Sequence, residues 1–257
     1  MSVLSIIVIG IFCLFVFLGY KRGLFKSIFK LLMTVVAVVV AYLIAPVLSD
    51  FIVENTSLDN TIGDKVYVVV KEITKERLKE ELGSVLTDVD EAVLDDLAEV
   101  AMEVEPTQNT QVKIIQQMKL PGFMTDALIS NNNKEMRSEL GADGFYMYLA
   151  YYISYMLVKV ISFVAVFIVL CVAVNIIYFA LGIVSKLPIV GSVDKMGGIL
   201  FGALEALLVV WIVFLVISLL ANTEIGGNLF NQIEENKVLK MIYDKNVLYS
   251  LVTKLGK

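Results

Sequence analysis

Histidine is absent from this 257-residue sequence, and with it goes the commonest general base, proton shuttle and metal ligand. Cysteine is nearly as scarce. Cys13 and Cys171 are the only two, both lie inside apolar runs, and a disulfide-stapled exported domain is thereby excluded. No C-x-x-C, H-E-x-x-H, G-x-S-x-G or Walker-type glycine run occurs, so the usual parts of redox, zinc, serine-hydrolase and nucleotide chemistry are missing. The four prolines, at 46, 106, 121 and 188, punctuate apolar or periodic stretches and mark helix ends or loops. Apolar side chains are what the chain has in excess: 58% of residues, with a mean hydropathy of +0.81, against ~45–50% apolar in soluble domains. This is the composition of an integral membrane protein that folds by helix packing. It predicts no enzyme, no cofactor, no metal site and no nucleic-acid partner.

Residues 3–20 form a first apolar span with no Lys or Arg before it and no small-residue cleavage site after it, which reads as a retained helix rather than a cleaved signal. The next ten residues hold Lys21, Arg22, Lys26 and Lys30 without an acid, and a second span then runs to Pro46. Residues 1–49 are therefore expected to be a transmembrane hairpin. Its basic tip belongs in the cytoplasm and its N-terminus outside.

From 50 to 144 the composition changes to 20 acidic side chains against nine basic ones, a water-facing and extracytoplasmic insert. Val66, Val69, Val70 and Ile73 share one helical face, and Val89, Val93, Leu97, Val100 and Val104 share another after Asp88 as a candidate cap. A weaker helix covers 110–119, and a short one precedes the loop Asn131–Asn133. The cluster Asp88, Asp90, Glu91, Asp95, Asp96 lacks the glycine and terminal glutamate of a calcium loop and reads as a solvated helix start.

A run of 41 residues from 145 to 185 would span ~60 Å as one helix, twice the hydrocarbon core. We divide it into an interfacial helix over 145–158, with Tyr148, Tyr151, Tyr152 and Tyr155 as an aromatic belt, and a third span over about 160–184. Lys159 then snorkels at the boundary. Ser162, three residues on, has the spacing of a Ser–Lys contact but no oxyanion donors. The loop containing Pro188 and Gly191 leads into the fourth span, which closes the 145–221 segment. Residues 222–257 form an amphipathic, basic tail that lies on the headgroups or docks on the acidic insert. The expected fold is thus all-α: four transmembrane helices, a mostly helical insert between spans two and three, and both termini outside.

Within the fourth span, Gly198, Gly202 and Ala206 recur every four residues, the spacing for close helix contact within one bundle or between copies. Glu205 is a carboxylate inside the apolar run, which makes it either functional or the partner of Asn175, a residue at similar depth in span three by helical rise. Lys21 and Arg22 set topology by snorkelling, or else Arg22 pairs with Asp194 or with anionic lipid headgroups.

Two stretches resemble the colicin V production protein (CvpA) family of four-span bacterial inner-membrane proteins. Gly19, Tyr20, Lys21, Arg22, Gly23 and Leu24 are similar to its G-[FY]-[KR]-R-G-L segment. Leu187, Pro188, Gly191, Asp194, Gly198 and Gly202 are similar to its L-P-x-x-G-x-x-[DN]-x-x-x-G-x-x-x-G segment. The insert and long tail resemble the longer Gram-positive versions, and Glu205 stands where short members often carry a basic residue. The resemblance implies a cell-membrane protein needed for colicin V-type bacteriocin production or export and for envelope homeostasis. The packing motifs and the absence of catalytic ones lead us to expect a scaffold or accessory factor within the lipid bilayer, with an envelope protein partner or as a homo-oligomer. The alternative is an oligomeric transporter or channel subunit that uses Glu205.

Overall fold

The computed structural model describes residues 2–82, 90–118, 120–180, 191–221 and 224–254. Among these every regular element is helical, and four helices are long and apolar enough to cross a membrane. The chain divides into two compact units, Met1–Ser49 with Lys159–Lys257, and Asp50–Val158.

The first unit contains α1 (Val3–Arg22), most of α2 (Leu24–Asn55), the second half of α8 (Phe145–Ala180), α9 (Gly191–Leu219), and the tail helices α10 (Glu224–Glu235), α11 (Lys237–Asp244) and α12 (Val247–Lys254). Helix α1 starts at Ser2, whose hydroxyl accepts the Ser5 N–H at 3.2 Å, an N-cap that satisfies an otherwise orphaned donor. It stops at Gly23, whose φ of +79° is open to glycine without strain, and α2 begins at the next residue. Helix α2 has the pattern of a soluble helix turned inside out. It buries Ser27, Lys30, Thr34, Ala37, Ala41 and Ala45 and exposes Leu32, Val35, Val36, Val39, Leu43 and Val47. In lipid this is the stable arrangement, because small and polar residues allow close packing and large apolar ones match the acyl chains.

Two expected boundaries are not observed. Helix α2 continues nine residues past Pro46 to Asn55; proline removes one backbone donor and kinks a helix but need not end it. Helix α8 is unbroken for 36 residues, so the interfacial helix and third span drawn as separate elements are one. No glycine or proline interrupts it. Residues 181–184, expected to complete the third span, lie outside the described residues.

The tail packs on α1 and α9, a seat that its periodicity does not specify. The Trp211 indole donates to the Ile242 carbonyl at 3.0 Å, and Asn246 donates to the Trp211 carbonyl at 2.9 Å. The Leu4 N–H donates to Gln232 at 2.9 Å, and Asn236 donates to the Ser5 hydroxyl at 3.2 Å. Rings from Phe214, Phe230, Tyr243 and Tyr249 fill the space between, with centroids 5.0–6.4 Å apart.

The second unit is built from α3 (Leu58–Leu82), α4 (Glu91–Glu103), α5 (Gln108–Gln117), α6 (Gly122–Ser130), α7 (Lys134–Glu139) and the start of α8. Its core comprises Val66 and Val70 from α3, Ile114 and Ile115 from α5, Met124 and Leu128 from α6, and Phe145, Tyr148, Leu149, Tyr152 and Ile153 from α8. Tyr148 and Tyr152 are therefore core rather than interfacial belt, whereas Tyr151 is exposed and Tyr155 half-buried. Tyr148 donates to the Leu128 carbonyl at 2.9 Å and Tyr152 accepts from Asn131 at 2.8 Å, which satisfies both hydroxyls as burial requires. Glu105 organises the entry to α8: its carboxylate accepts from the Phe145 N–H at 3.0 Å, Gln111 at 2.8 Å and Arg137 at 2.7 Å.

Helix α4 corrects a further expectation. Its buried residues are Leu94 and Ala98, whereas Val93, Leu97, Val100 and Val104 stand between 39% and 65% exposed. The small Ala98 lets α4 lie close to α3, and the valine stripe turns away; Asp88 and Val89 lie outside the described residues. Across that contact the stem of Lys75 is buried and its ammonium emerges among Asp95 at 2.7 Å, Glu72 at 3.0 Å and Glu91 at 3.7 Å.

The hydrogen bond from Lys75 holds the Asp95 carboxyl below the usual carboxylate range, and the same bond, with that to Glu72, pushes the Lys75 ammonium above the usual lysine range. Asp95 thus contributes stability that is present above its unfolded pKa and lost as pH falls through its lowered folded value. The Lys75 contribution is present below the ordinary lysine range and lost as pH rises through its raised value. The protection of α3 and α4 amides in the full chain, taken relative to intrinsic exchange at each pH, should fall on acidification, and Asp95→Asn should flatten that response. Identical pH profiles for the two proteins would contradict it.

Candidate functional site

Three glycines bring α1 and α9 together. A β-carbon on Gly19 would stand 3.0 Å from the Gly202 Cα and closer still to the Gly198 carbonyl oxygen. One on Gly198 would stand 2.9 Å from the Gly19 carbonyl carbon, and one on Gly202 would stand 3.1 Å from that of Phe15. Such separations are not tolerated, so only glycine permits the contact. Phe15 opposite Gly202 and Gly19 opposite Gly198 make the pair antiparallel. Ala206, one turn further on, is fully buried. Gly198 and Gly202 thus pack α9 against α1 of the same chain.

The same contact sets up the polar groups. Asp194, in the first turn of α9, accepts the Leu24 N–H at 2.8 Å. It therefore serves the start of α2, where backbone donors have no intrahelical partner and the helix dipole favours negative charge. Gly23 leaves the room for this, because a β-carbon there would overlap the Asp194 carboxylate. Arg22 is consequently not the partner of Asp194. Its guanidinium donates to Glu205 at 2.8 Å, with the carboxylate side chain 5% exposed and the arginine 22%.

Asn175, the expected partner of Glu205, instead accepts from Lys30 at 2.5 Å and donates to the Cys171 carbonyl at 2.7 Å. Lys30 is buried. Sequence reading does not assign it to the site, because in the sequence it belongs to the basic cluster that sets topology. The available signal was its place on the Ser27, Lys30, Thr34, Ala37, Ala41 face of α2, where a helix in lipid keeps its polar and small residues inward.

Helix direction explains why Arg22 reaches Glu205. The two α-carbons are about 15 Å apart along the axis of an antiparallel pair registered at Gly19 and Gly198. Every Cα–Cβ bond leans toward the N-terminus of its own helix, so Arg22 leans into the membrane along α1 and Glu205 leans back along α9. Two long side chains directed at each other close the gap.

Three polar links therefore join the four spans in series: α1 to α9 through Arg22 and Glu205, α9 to α2 through Asp194, and α2 to α8 through Lys30 and Asn175. Lys21 lies over the Phe17 ring at 4.6 Å, the cation-π contact of a charge at a helix end. Gly191 is the first residue of α9, while Leu187 and Pro188 lie outside the described residues. Lys159 and Ser162 are both buried in α8. Among the described residues no group of three or more Cys, Asp or Glu is arranged to hold a metal. The chemistry of the site is charge pairing and backbone capping between helices.

A family model described as Colicin V production protein matches residues 4–73 and 140–246. The match takes in both glycine segments, all four spans and most of the tail, and leaves out most of the insert. No curated protein sequence and no solved structure matches the chain.

Gly198→Leu should separate α1 from α9 and cost about 1–3 kcal/mol or more. Asp194→Ala should cost about 1.5–3 kcal/mol through the lost charged hydrogen bond. Gly10→Leu, at an open position on α1, should be nearly silent. Thermal unfolding of the purified chain in nanodiscs reads all three, and a Gly198→Leu protein as stable as Gly10→Leu would contradict the contact.

Proposed function

We propose that this chain, which belongs to the colicin V production protein family, is a non-enzymatic scaffold or accessory factor in the bacterial cell membrane. It serves production or export of colicin V-type bacteriocins and envelope homeostasis. The observation that carries this reading is the serial linkage of the four spans: Arg22, Glu205, Asp194, Lys30 and Asn175 each bond to another helix. Such groups fix a rigid membrane body, which is what a platform for other components needs. The basic hairpin tip favours a cytoplasmic position, which puts residues 50–144 and both termini outside. Bonding of Gln232 and Asn236 to the first turn of α1 supports placing the tail on the same side as the N-terminus. The insert, with its own core and mostly beyond the family match, is then the part offered to an envelope partner or a second copy.

The competing reading makes Glu205 a proton or cation carrier in an oligomeric transporter or channel. Complementation of a deletion strain separates the two, with bacteriocin export and envelope-stress growth as readouts and membrane levels checked by blot. Glu205→Gln keeps an oxygen for Arg22 to donate to while removing the charge, and it should rescue. Failure to rescue at normal membrane levels would overturn the scaffold reading in favour of the carrier.

A further inference from the structure

The tail helices present two different outward surfaces besides the one that holds them to α1 and α9. On α11 and α12, Leu239, Tyr243, Leu248 and Tyr249 are buried inward. Val238 and Met241 share a second face of α11, exposed at 59% and 51%, and Val247 beyond them is exposed at 53%. Lys237 and Asp244 occupy a third, polar face. Amphipathic helices on a soluble protein need two faces, one inward and one toward water. A third, apolar and exposed, calls for a different neighbour.

The position of the tail identifies that neighbour. Trp211, which donates to the Ile242 carbonyl, lies eight residues before the end of α9, about 12 Å back along the helix axis. Gln232 and Asn236 bond to Leu4 and Ser5 in the first turn of α1, beside the exposed apolar residues Val3, Ile6 and Ile7. The outward face of the tail is thus continuous with the lipid-facing surface of a membrane span. From Lys237 to Lys257 the chain carries five lysines and one acid, Asp244; Lys240 is held by Glu234. A second copy docked face to face would oppose lysines to lysines, whereas anionic headgroups complement them.

We propose that α10–α12 form an in-plane collar around α1 and α9, with Val238, Met241 and Val247 in the acyl region of one leaflet and the lysines on anionic phospholipid headgroups. The partner is the lipid surface itself. Binding of this kind adds buried apolar area to electrostatic attraction and depends on lipid composition.

The test uses the full chain with Cys13→Ala and Cys171→Ala and a nitroxide at Val238→Cys, Met241→Cys or Asp244→Cys. Vesicles are phosphatidylcholine alone or mixed with phosphatidylglycerol. At 238 and 241 the label should collide with dissolved oxygen more than with a water-soluble nickel chelate. At 244 the order should reverse, and phosphatidylglycerol should widen the contrast at low salt. Labels at 238 and 241 as open to nickel as that at 244 would overturn the collar. Spin–spin broadening at 238 would overturn it in favour of a second copy, and indifference to phosphatidylglycerol would overturn the anionic-headgroup contact.

Discussion

Close approach of the α1 and α9 backbones at Gly19, Gly198 and Gly202 is the constraint on which the membrane unit depends. Lipid offers no hydrophobic drive for one helix to choose another, so association rests on dispersion contact and on polar groups that have nowhere else to bond. The glycines supply the first directly and the second by consequence. With the backbones in contact, Asp194 comes within reach of the Leu24 amide, and Arg22 and Glu205 lean toward each other along opposed helices. Any larger residue at the contact would move all of these partners apart together.

The two glycine segments, about 170 residues apart in the chain, thus fold into a single joint. Their joint appearance in the sequence has a physical basis: Gly23 clears the space that Asp194 fills, and Gly19 clears the space that the Gly198 carbonyl fills. Ion pairing inside the membrane is costly unless both charges stay together. Arg22 at 22% exposure and Glu205 at 5% sit where the pair is shielded but one end still reaches toward the surface. Lys30 differs in that its ammonium donates to a neutral side chain, Asn175, and so links α2 to α8.

Four spans, the all-helical fold and the packing stripe of α9 were legible in the sequence because apolar length and small-residue spacing act locally. The pairing was not. Counting rise placed Asn175 level with Glu205, but side-chain lean and the length of arginine decide which groups meet, and both favour Arg22. Tyr148 and Tyr152 show a second limit, since a helical face of tyrosines looks the same whether it lies at a bilayer surface or in a protein core. The periodic valines of α4 show the converse: regular spacing predicted a buried face, while the helix buries Leu94 and Ala98 beside it. The tail's periodicity was clear, but nothing in it specified Trp211 and the first turn of α1 as its seat.

The most direct test of the joint is a charge exchange between Arg22 and Glu205, with thermal stability of the chain in nanodiscs as the readout. Arg22→Glu and Glu205→Arg alone should each lose about 1.5–3 kcal/mol or more, as one like-charge contact replaces a charged hydrogen bond. The account predicts that the double exchange recovers most of that loss, because opposed lean still directs the two side chains at each other. A double variant as unstable as the two single losses added together would show that the residues do not act as a pair, and would contradict the account.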